Sequence, residues 1–73
     1  MAKLSNYSDV LIHQRAREAI CHGASEEWLT WKAENCRTEA FKLSAMKAPS
    51  IVVEAYHFLH DIFDQAARML RIP

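Results

Sequence analysis

Residues 51–71 read IVVEAYHFLHDIFDQAARMLR. Placed on a helical wheel at 100° per residue, Ile51, Val52, Ala55, Phe58, Leu59, Ile62, Phe63, Ala66, Met69 and Leu70 fall within an arc of about 140°. Glu54, His57, His60, Asp61, Asp64, Gln65, Arg68 and Arg71 take the opposite arc. A wide apolar face with a polar back over six turns predicts an amphipathic helix, and this helix decides the fold class.

Working back from it, Lys47-Ala48-Pro49-Ser50 is a break. Pro49 lacks a backbone donor and disfavours helix at Ala48, and Ser50 is placed to cap the helix that follows. The competing reading is one long kinked helix with Pro49 in its first helical position. Upstream, Gly23-Ala24-Ser25 is the clearest punctuation. Gly23 suits a left-handed helix end, Ser25 an N-cap, and Glu26 and Glu27 a first turn whose dipole favours acids. Three helices follow, at about 8–22, 26–46 and 51–71. The expected fold is all-α, a single domain over residues 1–73: an antiparallel helical hairpin plus a third helix.

The middle helix differs from the last. Leu29, Ala33, Cys36, Ala40 and Leu43 alternate at steps of four and three, a narrow stripe of mostly small residues that lets a neighbour approach closely. Trp28 and Met46 flank that stripe, Trp31 is nearly opposite, and Phe41 is off the other side. The first helix has a weaker stripe of Ile12, Ala16, Ala19 and Ile20, with Tyr7, Val10 and Leu11 pointing elsewhere.

The composition excludes several functions. The chain has 73 residues, nine Lys+Arg against nine Asp+Glu, four His, one Gly, two Pro and two Cys, and is 51% apolar. It is too short for two domains and too apolar and charge-balanced for disorder. One glycine rules out a Gly-rich phosphate cradle. The longest apolar run is three residues, whereas a membrane span needs about 20. With no apolar core in residues 1–5, the expected location is the cytoplasm. Cys21 and Cys36 are expected to be two free packing thiols: across a hairpin turning at Gly23 they lie about 13 Å apart, beyond disulfide reach.

Chemistry finds little support. Glu54 and His57 have the Glu-x-x-His spacing of di-metal bundles, and Asp61 and Asp64 continue the strip. The four lie opposite the apolar face, so a solvated surface is the better reading and no metal or other cofactor is expected; Asp64 and Arg68 make an ordinary one-turn ion pair. No serine sits in a Gly-flanked elbow, and Cys21 and His22 point about 100° apart. A pocket of about 300 Å³ is not expected without a dimer cleft, so the chain is not expected to be an enzyme. Lys3, Arg15, Arg17, Lys32, Arg37, Lys42, Lys47, Arg68 and Arg71 are scattered and matched by acids, so nucleic acid is not an expected partner. A small helix-turn-helix DNA-binding regulator is the alternative, against which stand Glu26 and Glu27 at the start of the long second helix. A metal-binding helical bundle is the second alternative. The polar side of the last helix carries too few basic residues for membrane adsorption.

What remains is apolar surface. A chain this short buries only about 60% of its unfolded surface, and bare apolar patches mark partners. Val52, Ala55, Phe58, Leu59, Ile62, Phe63, Ala66 and Leu70 are the candidate core and homodimer residues. Trp28, Trp31, Phe41 and Met46 are the candidate surface for another protein. The expected function is a small regulator that binds another protein, as inhibitors, modulators (phage-encoded ones among them) and co-chaperones do, working as a homodimer.

Overall fold

The computed structural model describes residues 8–71. They form three helices, α1 (Ser8–Cys21), α2 (Glu26–Ala45) and α3 (Ser50–Arg71), with no strand among the described residues. The all-α expectation holds, with ends that differ by one residue from the expected ones. Tyr7 and the reading of residues 1–5 lie outside the described residues.

Both turns have the same hydrogen-bond logic. After α1, the Gly23 amide donates to the Ile20 carbonyl at 2.9 Å and the Ala24 amide to Ala19 at 3.3 Å, with Gly23 at φ 90. This is the Schellman ending, and it needs one left-handed residue. Ser25 then caps α2, its hydroxyl accepting from the Trp28 amide at 3.1 Å. After α2 the pattern recurs: the Lys47 amide donates to Ser44 at 3.1 Å and that of Ala48 to Leu43 at 2.9 Å. Here the left-handed residue is Lys47, at φ 60. α2 and α3 are thus separate helices rather than one kinked rod. Ser50 is not the cap of α3. The Pro49 carbonyl accepts from the amides of Val52 and Val53, which leaves Ser50 inside the first turn.

A side chain in the left-handed region costs about 1–2 kcal/mol, because Cβ crowds the carbonyl. Lys47→Gly is therefore expected to stabilise the chain by about 0.5–1 kcal/mol, after glycine's extra unfolded-state entropy is subtracted. The melting temperature should rise by a few degrees, about 4–8 °C per kcal/mol at this size. A lower melting temperature would count against this turn geometry.

α3 is the element both others use. It packs along α2, and α1 packs on α3 with little contact to α2. The antiparallel hairpin is α2–α3 and not the α1–α2 pair expected to fold back at Gly23, because α1 and α2 both bury their stripes on α3: Arg71 at the end of α3 donates to Glu26 at 2.7 Å and to Thr30 at 3.0 Å, at the start of α2. α1 ends, α2 begins and α3 ends at one end of the molecule. The extents are 40 × 25 × 18 Å and the radius of gyration is 12.6 Å, against about 11 Å for a compact domain of this length. The chain is an elongated slab.

The core is small. Among the described residues the buried ones are Ala16, Leu29, Ala33, Cys36, Ala40, Ile62, Ala66 and Ala67. The narrow stripe of α2 is buried as its spacing predicts, with Leu43 half-buried. On α1, Ala16 is buried and Ile12, Ala19 and Ile20 half-buried; Leu11 is also half-buried rather than turned away. On α3 the expectation needs correcting. Ile62 and Ala66 are buried and Phe58 and Phe63 half-buried, but Val52, Ala55, Leu59 and Leu70 are exposed in the single chain. Ala67, just outside the apolar arc, is buried instead. α1 has 14 residues against 22 in α3 and joins the core near Ala66 and Ala67, so the stretch from Val52 to Leu59 has less over it.

Candidate functional site

The four candidate partner residues do not form one patch. Trp28 is 44% exposed and meets Phe63 edge-to-face, with ring centroids 5.8 Å apart. Lys32 Nζ sits 6.0 Å from the Trp28 ring centroid, a cation–π contact that holds the indole in place. Trp28 is therefore part wall and part surface. Trp31 is 58% and Phe41 77% exposed, Trp31 opposite the buried stripe of α2 and Phe41 on its flank, beside His57 of α3. They are ten positions apart, about 15 Å along the helix. Met46 is 75% exposed at the other end of α2, next in the chain to the α2–α3 turn and exposed Ile51.

Against the expectation, the single chain does have a hollow above 300 Å³. One of about 490 Å³ opens at the Gly23 turn, lined by Ala19, His22, Gly23, Ala24, Ser25, Trp28 and Phe63. Its polar groups are few. The Ser25 hydroxyl already accepts the Trp28 amide, so it is a cap rather than a nucleophile paired with a base.

The carboxylate–histidine strip is not assembled. No group of three or more His, Cys, Asp or Glu that would suit a metal occurs among the described residues. Asp64 pairs with Arg68 at 3.1 Å, the expected one-turn ion pair. Asp61 meets His60 at 3.3 Å, leaving Glu54 half-buried and His57 exposed. The basic residues do not gather either: Arg15 pairs with Glu18, Lys42 with Glu39, and Arg71 with Glu26. No helix is long and apolar enough to cross a membrane among the described residues.

The two thiols are free, as expected, but unalike. Cys36 is packed in the α2 stripe, and burial pushes its thiol pKa up, partly offset by the charge of Lys32. Cys21 is exposed, which corrects the reading of it as a packing residue. It follows Ile20 on the solvent side of the last turn of α1. A thiol-specific reagent is expected to modify Cys21 rapidly and Cys36 at least about a hundredfold more slowly, since burial both raises the Cys36 thiol pKa and blocks access to it. Cys21→Ser should delete the fast phase and Cys36→Ser the slow one. Equal rates would mean that the stripe is open.

Sequence reasoning missed one apolar contributor. Ile51, assigned to the covered face, is 63% exposed. It lies at the edge of the arc in the first turn of α3, where periodicity gives no sign of how far a neighbouring helix extends. No protein-family model matches this chain, and neither a curated protein nor a solved structure matches it.

Proposed function

We propose that the chain is a small non-enzymatic regulatory protein that acts by binding another protein, and that it does so as a homodimer. One observation carries this reading: the molecule buries its small apolar residues and leaves many of its large ones out. Five of the eight buried residues described are alanine, and Leu29 is the largest side chain fully out of water. Val10, Trp28, Trp31, Phe41, Met46, Ile51, Val52, Leu59 and Leu70 are all exposed. Solvent-facing Trp, Phe and Met on a rigid helix are what binding anchors are made of, because they bring large area at little entropic cost. Single exposed apolar residues are ordinary, but so many large ones on so small a chain point to surfaces that are covered by a partner.

Trp31 lies opposite the buried stripe of α2 and Phe41 on its flank, where it lines a hollow beside His57 of α3, so they suit a partner that offers an apolar strip along α2. The mixed charges around them, Glu34, Arg37 and Lys42, suit a protein surface better than a phosphate backbone. The test is capture of the native partner on immobilised full-length chain, repeated with Trp31→Ala and Phe41→Ala. Both side chains are exposed, so the melting temperature should stay within about 3 °C, since surface substitutions of this kind seldom exceed about 0.5 kcal/mol. The partner should bind Trp31→Ala at least about tenfold more weakly. Unchanged binding to both variants would overturn the reading, as would salt-dependent binding of duplex DNA with no protein partner.

A further inference from the structure

In α3, Val52, Ala55, Leu59, Ile62, Ala66 and Met69 recur at alternating steps of three and four. That is the spacing of a coiled-coil seam, on which another helix can lie. In the folded chain only one end of the seam is filled. Ala66 is fully buried and Ile62 is 7% exposed, in the half where Ala16, Ala19 and Ile20 of α1 join the core. Toward the start of α3 the cover runs out: Leu59 and Val52 are each 38% exposed and Ala55 is open. Length explains it. α1 has 14 residues and α3 has 22; the eight-residue shortfall is about 12 Å of helix. The two helices end together, so the shortfall falls at the start of α3.

We infer that a second copy of this chain fills this stretch, its Val52, Ala55 and Leu59 lying antiparallel on those of the first across a two-fold axis near Ala55. The inference rests on the self-association in the proposed function and says where it takes place. Three features select a second copy. The open stretch is self-complementary: a two-fold near Ala55 sets a small residue against a small one and brings Val52 against Leu59 of the other copy, the isologous arrangement of most dimers. It is also free of charge clashes. Its flanks, Ile51, Tyr56 and Phe58, are uncharged, and Glu54 lies about 100° or more from the seam. Finally, the open area suits a reversible pair: Met46, Ile51, Val52 and Leu59 together expose on the order of half of the roughly 800 Å² that each partner brings to a standard interface, the size of a weak, concentration-dependent contact. The antiparallel sense follows from α1. It occupies the seam of the C-terminal half, so a parallel pair would drive each α1 into the other copy.

The full-length chain is to be followed by sedimentation over a wide concentration range, with a spin label on exposed Cys21. Wild type should sediment at twice the chain mass at the upper end of that range. Leu59→Glu and Val52→Glu, at positions already partly in water, should keep the helical circular dichroism and raise the dimer dissociation constant at least about thirtyfold. Phe41→Glu, on the flank of α2, should leave the dimer intact. The labels should lie about 40 Å apart in the antiparallel pair and below about 25 Å in a parallel one. A single-chain mass at every concentration, a dimer that survives both α3 substitutions, or the short label distance would overturn the inference. None of these results touches partner capture through Trp31, which stands or falls separately.

Discussion

Leu29→Ala is expected to remove most of the stability of this chain. Leu29 is the largest side chain with no exposure, and it lies where Ala16 of α1 and Ala66 and Ala67 of α3 meet. Its fully buried neighbours there are alanines, which cannot fill the space it leaves, so only Ile20, Phe63 and Met69 at the rim of the cluster could move toward it. Truncating a buried leucine to alanine costs about 2–5 kcal/mol, with the upper end where the site cannot collapse. A domain of this length holds roughly 4–11 kcal/mol in all, and small cores tend to the lower part of that range. The melting temperature should fall by at least about 10 °C at about 4–8 °C per kcal/mol, read from the helical circular dichroism. Phe41→Ala removes a larger apolar group from the same helix, but one that is 77% exposed, and should shift melting by less than about 3 °C. If the two variants melted alike, the three-helix junction would not be what holds the fold.

The contrast between those residues also shows what a single sequence can convey. Leu29, Ala33, Cys36 and Ala40 repeat at helical spacing, and their burial was legible from that alone. The Gly23 turn was legible because few residues other than glycine end a helix in the left-handed region. The turn at Lys47 was not, because lysine gives no such signal; the hydrogen bonds of Ala48 and Lys47 force the geometry despite it. Periodicity placed Val52, Leu59, Ile62 and Ala66 on one face. It could not say that α1 would cover the last two and stop short of the first two, since coverage depends on the length and register of another helix. The same holds for the surface. The wheel put Trp28 beside the stripe of α2, but the Phe63 ring that makes it half a core residue comes from α3, 35 positions away.

Ala66→Leu is expected to unseat α1. Ala66 has no exposed surface and sits in the same cluster as Ala16, Leu29 and Ala67, with Ala19, Ile20 and Met69 packed around them. Two alanines facing one another from α1 and α3 set a close approach. Leucine adds three carbons where neighbouring atoms already touch, and overpacking of this kind costs about 1–3 kcal/mol. Most of that cost should fall on α1 and not on the α2–α3 hairpin. α1 has 14 residues and leans on α3 with little contact to α2, whereas the hairpin has the whole α2 stripe to hold it. Amide hydrogen exchange should therefore speed up in α1 far more than in α2, and the helical signal should drop by about the share of α1. Ala45→Leu makes the same chemical change at an exposed site and should leave exchange in α1 as it is. Displacing α1 also uncovers Ile62 and the far half of the α3 seam, so Ala66→Leu should bind more of an apolar dye than wild type. Normal exchange in α1 together with unchanged dye binding would mean that α1 is not seated on Ala66, and that the length of α1 does not limit how much of α3 is left bare.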